Sequence, residues 1–166
     1  MIKLRNMATA YLINENEFLL MKRADNKKLA PGLWSGVGGH LEPEELNNPL
    51  EACLREIYEE TGITREQLID LKLKYIVLRK RKEEIRIQYI YFATSKTKQF
   101  VNSEEGELFW IAKEELFERE FTATNQIVLS HYIEFGDKIN DILVGTASAD
   151  GDSPVINWCL LQDWEN

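Results

Sequence analysis

The amino-acid sequence predicts an α+β fold, or an α/β/α layered one, in which strands outnumber helices. Two observations lead to this prediction. Runs of alternating apolar residues occur along most of the chain, and two separate segments carry the helical spacing of apolar residues. The length of 166 residues suits one compact unit with a substantial core, so we expect residues 1–166 to form a single domain.

The first half of the chain begins with a predicted β-hairpin, "MATAYLI" and "EFLLMKR", joined by the polar turn "NENE". The next stretch, "KKLAPGLWSGVGGHLEPEELNN", is rich in glycine and proline, and we expect a long irregular loop there. Long loops inside compact domains are often functional.

A helix is predicted directly after that loop, in the run "PLEACLREIYEET". Asn48 can cap its first turn, Pro49 suits the first helical position, and Glu51 completes the spacing of a capping box. Gly62 is a natural C-terminal stop. The helix is therefore predicted to span residues 49–61.

The second half of the chain predicts more strands and one further helix. The runs "LKLKYIVLRK" and "EEIRIQYIYFATS" predict a hairpin around a charged turn, and "ELFWI" predicts a short strand followed by a helical turn at "AKEELFE". "TNQIVLSHYIEFG" predicts a helix that ends at Gly136. The tail predicts a last hairpin that turns at "DGD".

The bulk composition excludes several classes of protein. The formal net charge of −8 disfavours binding to a nucleic-acid polymer, which requires a basic face. No apolar run approaches the roughly 18 residues of a membrane span, and the N-terminal segment lacks the pattern of a signal peptide. Cys53 and Cys159 are far apart and belong to no CxxC motif. We expect a cytoplasmic protein that does not bind membranes; its oligomeric state is left open.

Three carboxylates of the first predicted helix lie on one helical face. Glu56, Glu59 and Glu60 are three and four residues apart, and Arg55 flanks them. Such a face can simply be solvated, but like charges four residues apart destabilise a helix unless something neutralises them. Since a glycine-rich loop precedes them, carbonyl oxygens can join the carboxylates in holding Mg²⁺ or Mn²⁺. An acidic site can bind a phosphate substrate through such a cation.

The same segment resembles the signature of the MutT/Nudix hydrolase family, G-x5-E-x7-R-E-U-x-E-E-x-G-U, in which U is a bulky apolar residue. The matching residues, within 39–63, are Gly39, Glu45, Arg55, Glu56, Ile57, Glu59, Glu60, Gly62 and Ile63. Two departures stand out. Nine residues separate Glu45 from Arg55 where the pattern has seven, and Glu44 stands where many members have glycine. The block from Arg55 to Ile63 is intact, and the role of Glu45 is left open.

The resemblance implies a Nudix fold, with a mixed β-sheet between helices, and metal-dependent hydrolysis of a nucleoside diphosphate linked to another group. Glu56, Glu59 and Glu60 would bind the metal or hold its water, and Gly39 would lend a carbonyl oxygen. Arg55 would orient the glutamates through charge-assisted hydrogen bonds. Which glutamate acts as the general base varies within the family.

Further similarity is to the branch that hydrolyses 8-oxo-dGTP, carried by "GLWSGVGGHLE" and "EEGELFWI". It implies Glu105 as another metal ligand. Trp34 and Trp110 are either walls for a purine or ordinary packing. Ser35 and Asn125 can hydrogen-bond a purine base, and Arg23 can meet a polyphosphate.

The remaining basic side chains are expected to serve no site. Lys80, Arg81 and Lys82 predict a solvated turn, His40 a solvent-side loop position and His131 an exposed or half-buried helix face.

The leading functional hypothesis is a Nudix pyrophosphohydrolase that cleaves nucleoside triphosphates to monophosphate and pyrophosphate, with 8-oxo-dGTP as the candidate substrate. Three alternatives remain. The substrate could be ADP-ribose, a dinucleoside polyphosphate or a nucleotide sugar, or the chain could be a catalytically silent domain that binds a nucleotide or a protein. The third alternative is a plain metal-binding scaffold, which only the acidic helix favours.

Overall fold

The computed structural model describes residues 1–26, 30–136 and 138–165. These residues form nine strands and two α-helices, in the order β1 (Lys3–Asn14), β2 (Glu17–Arg23), β3 (Trp34–Ser35), β4 (Val37–His40), α1 (Pro49–Thr61), β5 (Leu68–Arg81), β6 (Glu84–Ser95), β7 (Gly106–Ala112), α2 (Ala123–Phe135), β8 (Ile142–Asp150) and β9 (Ser153–Leu161). Short 3₁₀ helices span Pro43–Glu45, Arg65–Gln67 and Lys113–Glu118. Across the described ranges, no helix has the length and apolar character needed to cross a membrane.

All nine strands join one mixed sheet. Its main path runs β3-β2-β1-β6-β5-β8-β9, with β4 paired to β1 and β7 paired to β2. The pairs β1–β6 and β5–β8 are parallel, and the other pairs are antiparallel. The edge of β1 is shared: its residues 7–10 pair with β4, whereas residues 12–14 pair with β2. The glycine-rich β4 is thereby held against the centre of the sheet.

The two helices cover opposite faces of this sheet. Alternation along β1 sends Ala8, Ala10 and Leu12 into one apolar cluster, which contains Ile57 of α1. Tyr11 joins a second cluster, which contains residues of α2. Each fully buried aliphatic side chain contributes about 1.5–3 kcal/mol to folding. The arrangement confirms the predicted α/β/α layering, with a mixed sheet between helices.

The glycine-rich stretch is more regular than the sequence suggests. Its first residues, 27–29, lie outside the described part of the chain, but β3 and β4 form within the rest. The expectation of a wholly irregular loop was therefore wrong. The physical reason is close backbone approach: a Cβ added at Gly38 would lie 2.1 Å from the carbonyl oxygen of Ala8, and one at Gly36 would lie 2.4 Å from that of Ala10. Glycine here permits strand pairing rather than preventing it.

Helix α1 spans the predicted residues and ends as predicted. Gly62 adopts a left-handed conformation, with φ of 72°, and its N–H donates to the Tyr58 carbonyl. The predicted side-chain cap is wrong, because the Asn48 side chain makes no capping hydrogen bond. The Asn48 carbonyl instead accepts the N–H of Glu51 at 3.1 Å, and Pro49 provides a fixed φ at the first helical position.

Candidate functional site

An acidic cleft of about 710 Å³ lies between β4, α1 and the segment that precedes β7. It brings together all the predicted metal ligands, which are Gly39, Glu56, Glu59, Glu60 and Glu105. Arg55 and Arg23 line the same cleft. The sheet holds Gly39 through β4, and α1 presents the glutamates toward it. Residues distant in the chain thus meet in one cleft.

Arg55 organises the carboxylates of this cleft. Its Nε and Nη2 donate to the two oxygens of Glu45 at 2.8 and 2.9 Å. Its Nη1 donates to Glu56 at 2.9 Å and to Glu59 at 3.0 Å, while Nη2 also reaches the His40 carbonyl at 3.1 Å. The hydrogen bonds with Arg55 hold the pKa of Glu45 below its usual range. The hydrogen bonds with Glu45, followed by the one with Glu56, raise the pKa of Arg55.

Glu45 therefore has a position that sequence reasoning left open. The two extra residues of the motif are absorbed between the 3₁₀ helix that ends at Glu45 and the start of α1. Its carboxylate forms a two-point contact with the Arg55 guanidinium, a geometry that restricts both groups more than a single bond would. Glu45 orients Arg55, which in turn engages Glu56 and Glu59.

Gly39 lies directly against the Glu56 carboxylate. A Cβ added at Gly39 would be 2.4 Å from one oxygen of Glu56 and 2.7 Å from the other. Burial raises the pKa of Glu56, and the hydrogen bond from Arg55 opposes that change. Any larger residue at position 39 would therefore displace a carboxylate of the cleft.

Glu60 and Glu59 occupy different environments although they are adjacent. Glu60 is 4% exposed and accepts the N–H of Gly38 at 2.7 Å. Burial raises the pKa of Glu60 to about 8, with the nearby Glu56 carboxylate adding to the effect and the Gly38 hydrogen bond opposing it. The Glu59 side chain is 55% exposed. The helical spacing placed both on one face, but only tertiary packing separates a buried acid from an exposed one.

The donor set of the cleft matches a hard divalent cation, since carboxylate and carbonyl oxygens are what Mg²⁺ and Mn²⁺ prefer. In the described part of the chain, no three His, Cys, Asp or Glu side chains are arranged so that they could hold a metal ion. Arg55 engages one oxygen of Glu56 and one of Glu59. A cation in this cleft would compete with Arg55 for those carboxylates.

A second cavity, of about 220 Å³, adjoins the acidic cleft. It contains all four residues predicted to bind substrate, which are Arg23, Trp34, Ser35 and Asn125. Met7, Arg23 and Gly38 line both spaces, so the two lie side by side. Arg23 lies 3.7 Å from the Glu105 carboxylate at this junction. We refer to this space as the adjoining cavity.

Sequence reasoning missed three arginines in the adjoining cavity, Arg79 and Arg81 of β5 and Arg86 of β6. Arg81 is exposed, as expected of a solvated charge, and it also lines the cavity. A pattern in the sequence could have revealed it. Alternate residues of a strand share a face, so Arg79 and Arg81 point together and Lys80 points away.

The two tryptophans have different surroundings. Trp34 lies in the adjoining cavity, with the Arg119 guanidinium 5.5 Å from its ring centroid and the Phe109 ring at 5.4 Å. Trp110 packs against the apolar cluster of α1, and its Nε1 donates to the Lys98 carbonyl at 2.9 Å. Trp34 is thus the tryptophan placed beside the site, whereas Trp110 contributes packing.

Neither histidine side chain is placed as the base of a nucleophile. The half-buried His131 ring lies 3.0 Å, through Nδ1, from the Tyr75 hydroxyl. Burial lowers the pKa of His131. His40 is exposed, as expected, but it is the last residue of strand β4 rather than part of a loop, and it lines the acidic cleft.

Comparisons with known proteins agree with this geometry. The NUDIX domain family matches residues 3–132. The chain is 32% identical over 124 residues to the nucleoside triphosphatase NudI of Salmonella typhimurium, a match that covers 68% of this chain and 84% of that protein. The crystal structure of a mutator MutT protein from Bacillus halodurans aligns with a TM-score of 0.71 at 23% identity, covering 94% of this chain and 97% of that one.

A C. elegans Ap4A hydrolase structure aligns with a TM-score of 0.67 at 21% identity, covering 81% of this chain and 99% of that one. At such identities the two structures show the fold alone. The family match extends over most of the chain, and it includes the glycine-rich strand β4, the acidic helix α1 and the cleft between them. The chain therefore belongs to the Nudix family and is a hydrolase of the MutT/Nudix type.

Proposed function

We propose that this chain hydrolyses nucleoside triphosphates to a monophosphate and pyrophosphate, with 8-oxo-dGTP as the first candidate substrate. One observation carries the proposal: the acidic cleft and the adjoining cavity share Met7, Arg23 and Gly38. A nucleotide can therefore place its phosphates over the glutamates while its nucleoside lies beside Trp34. The similarity to a nucleoside triphosphatase supports the same substrate class.

The residues that would hold Mg²⁺ or Mn²⁺ are Gly39, Glu56, Glu59, Glu60 and Glu105. When bound, such a cation lowers the pKa of a coordinated water and neutralises charge on phosphate oxygens. Arg55 keeps Glu56 and Glu59 in place, and its own position depends on Glu45. Either Glu56 or Glu59 can receive the proton of the attacking water.

The adjoining cavity supplies groups suited to a nucleoside. Trp34 offers an aromatic face for stacking against a base. The Asn125 side chain is 7% exposed, and its amide carries both a donor and an acceptor for a base edge. Ser35 adds a hydroxyl, and Arg23 stands at the junction where a polyphosphate would leave the cavity.

The test is a product assay with purified protein and Mg²⁺ or Mn²⁺ across 8-oxo-dGTP, dGTP, other nucleoside triphosphates, ADP-ribose and a dinucleoside polyphosphate. We expect release of pyrophosphate from a triphosphate, abolished by EDTA. Glu60→Gln and Glu59→Gln should each lower kcat by at least about 100-fold with the fold retained. Glu51→Gln is the matched control, since Glu51 is an exposed residue of the same helix, and it should leave kcat unchanged.

The other outcomes separate the alternatives. Preferred turnover of ADP-ribose, a nucleotide sugar or a dinucleoside polyphosphate would keep the site and replace the substrate. Nucleotide binding without phosphate release in either metal would make this a silent domain and overturn the proposal. We place the reaction in the cytoplasm, because Cys53 and Cys159 are both free thiols, as a reducing compartment would keep them.

A further inference from the structure

An arginine cluster lines one wall of the adjoining cavity. Arg79 of β5 is paired directly with Arg86 of β6, and Arg86 is in turn paired with Arg5 of β1. Side chains of directly opposed residues lie on the same face of a sheet, so like charges in these positions repel one another. Arg81 follows two residues after Arg79 on the same face. We define the arginine cluster as Arg79, Arg81 and Arg86, which all line the cavity.

The charge of this cluster is poorly compensated. Glu84 lies 2.5 Å from the Arg86 guanidinium and 3.2 Å from that of Arg5, and it is also paired in register with Arg81, so one carboxylate serves three arginines. Within residues 1–26, 30–136 and 138–165, Arg79 and Arg81 form no ion pair within 4.0 Å, and no Asp or Glu lines the adjoining cavity. A chain with a net charge of −8 has thus concentrated an excess of positive charge at one end of its site.

We propose that the arginine cluster binds a second phosphoryl group of the substrate, one attached to the nucleoside end and remote from the phosphoanhydride that is hydrolysed. The inference rests on the proposed function, because it assumes that the nucleoside occupies the adjoining cavity. A neutral base edge would leave the excess positive charge of the arginine cluster unneutralised, whereas a phosphate monoester brings a charge of about −1.5 to −2. Guanidinium groups also match the geometry of phosphate oxygens.

The position of the cluster separates the second phosphoryl group from the reacting phosphates. Arg79, Arg81 and Arg86 line the adjoining cavity but not the acidic cleft, whereas Arg23 lines both. A substrate with one phosphate chain, such as 8-oxo-dGTP, fills the cleft and leaves the excess positive charge of the cluster unneutralised. Such a substrate is turned over at a higher KM than its counterpart with a phosphorylated sugar.

The experiment compares the binding of guanosine 3′,5′-bisphosphate and GMP by calorimetry in Mg²⁺. Neither ligand contains a phosphoanhydride, so neither is hydrolysed. We expect the bisphosphate to bind at least about tenfold more tightly, as charge-assisted hydrogen bonds to a phosphate warrant. Arg79→Gln and Arg81→Gln should each bring the ratio of the two affinities close to one. Both side chains are exposed, so the folded state should survive either change.

Lys80→Gln is the matched control. It removes the same charge from the same strand, between the two arginines, but its side chain points to the other face. It should leave the ratio of affinities as in the wild type. Equal affinities for the two ligands in the wild type, or an equal effect of Lys80→Gln and Arg79→Gln, would overturn the inference. So would tighter binding of an unphosphorylated single-stranded RNA that Arg79→Gln abolishes.

The binding assay tests the role of the arginine cluster, and the turnover assay tests the proposed activity, so one proposal can fail without the other. A chain that releases pyrophosphate from triphosphates but binds GMP and the bisphosphate equally would refute the role of the arginine cluster alone. A chain that prefers the bisphosphate but hydrolyses no nucleotide in either metal would refute the proposed activity alone.

Discussion

Replacement of Gly39 by alanine would test whether the contact between β4 and Glu56 controls turnover. The added Cβ would lie 2.4 Å from a Glu56 oxygen, and ordinary contact begins at 3.4 Å, so the carboxylate must retreat by about 1.0 Å (3.4 − 2.4). That movement would lengthen or break its 2.9 Å hydrogen bond with Arg55. Misplacement of a reacting group by about 1 Å costs roughly 100-fold in rate, so we expect kcat to fall by about that factor.

The stability of the folded chain should change little in Gly39→Ala. The atoms that must move belong to the end of a flexible side chain, and loss of a partly exposed ion pair costs about 1 kcal/mol or less. Gly151→Ala is the control with the opposite expected effect, a loss of stability without a loss of turnover. Nothing lies within 4 Å of its added Cβ, but its φ of 58° is left-handed, which costs about 1 kcal/mol of folding free energy. Metal-dependent pyrophosphate release and thermal unfolding would be measured for both. Wild-type kcat in Gly39→Ala would refute the reasoning.

Three further outcomes are expected. Glu45→Gln should lower kcat about tenfold with little change in KM, since the two-point contact that orients Arg55 loses its charge; wild-type kcat would contradict this role. Burial lowers the pKa of His131, so its protonation opposes folding, and the thermal stability of the wild type relative to His131→Gln should fall as the pH drops from 7.5 to 5.5; parallel profiles would exclude this contribution. Titration with a thiol reagent should modify the exposed Cys159 but not the buried Cys53 until denaturant is added; rapid modification of both would contradict the burial.

Local chemistry determined much of this protein from the sequence alone. The range of α1 and its stop at Gly62 follow from apolar spacing, Pro49 and a left-handed glycine, all of which act within a few residues. The strand pairs β5–β6 and β8–β9 are joined by short turns, so the chain order itself implies their pairing. The spacing of Glu56 and Glu60 likewise places them on one helical face whatever surrounds the helix.

The tertiary structure decided what depends on contacts between distant residues. Glycines at positions 36 and 38 predict a loop locally, yet their lack of a Cβ lets β4 pair with β1. The role of Glu45 required the folded path that returns it to Arg55.

Charge and burial in the site were decided in the same way. Glu60 is buried and Glu59 exposed because one points at the sheet and the other at solvent, a difference that spacing alone does not predict. The strand register places Arg79 opposite Arg86, so two charges that are separate in the sequence line the same wall of the adjoining cavity. Sequence determines such features only through the packing of the whole sheet, because strand pairing brings together residues that are far apart in the chain and that no local sequence pattern connects.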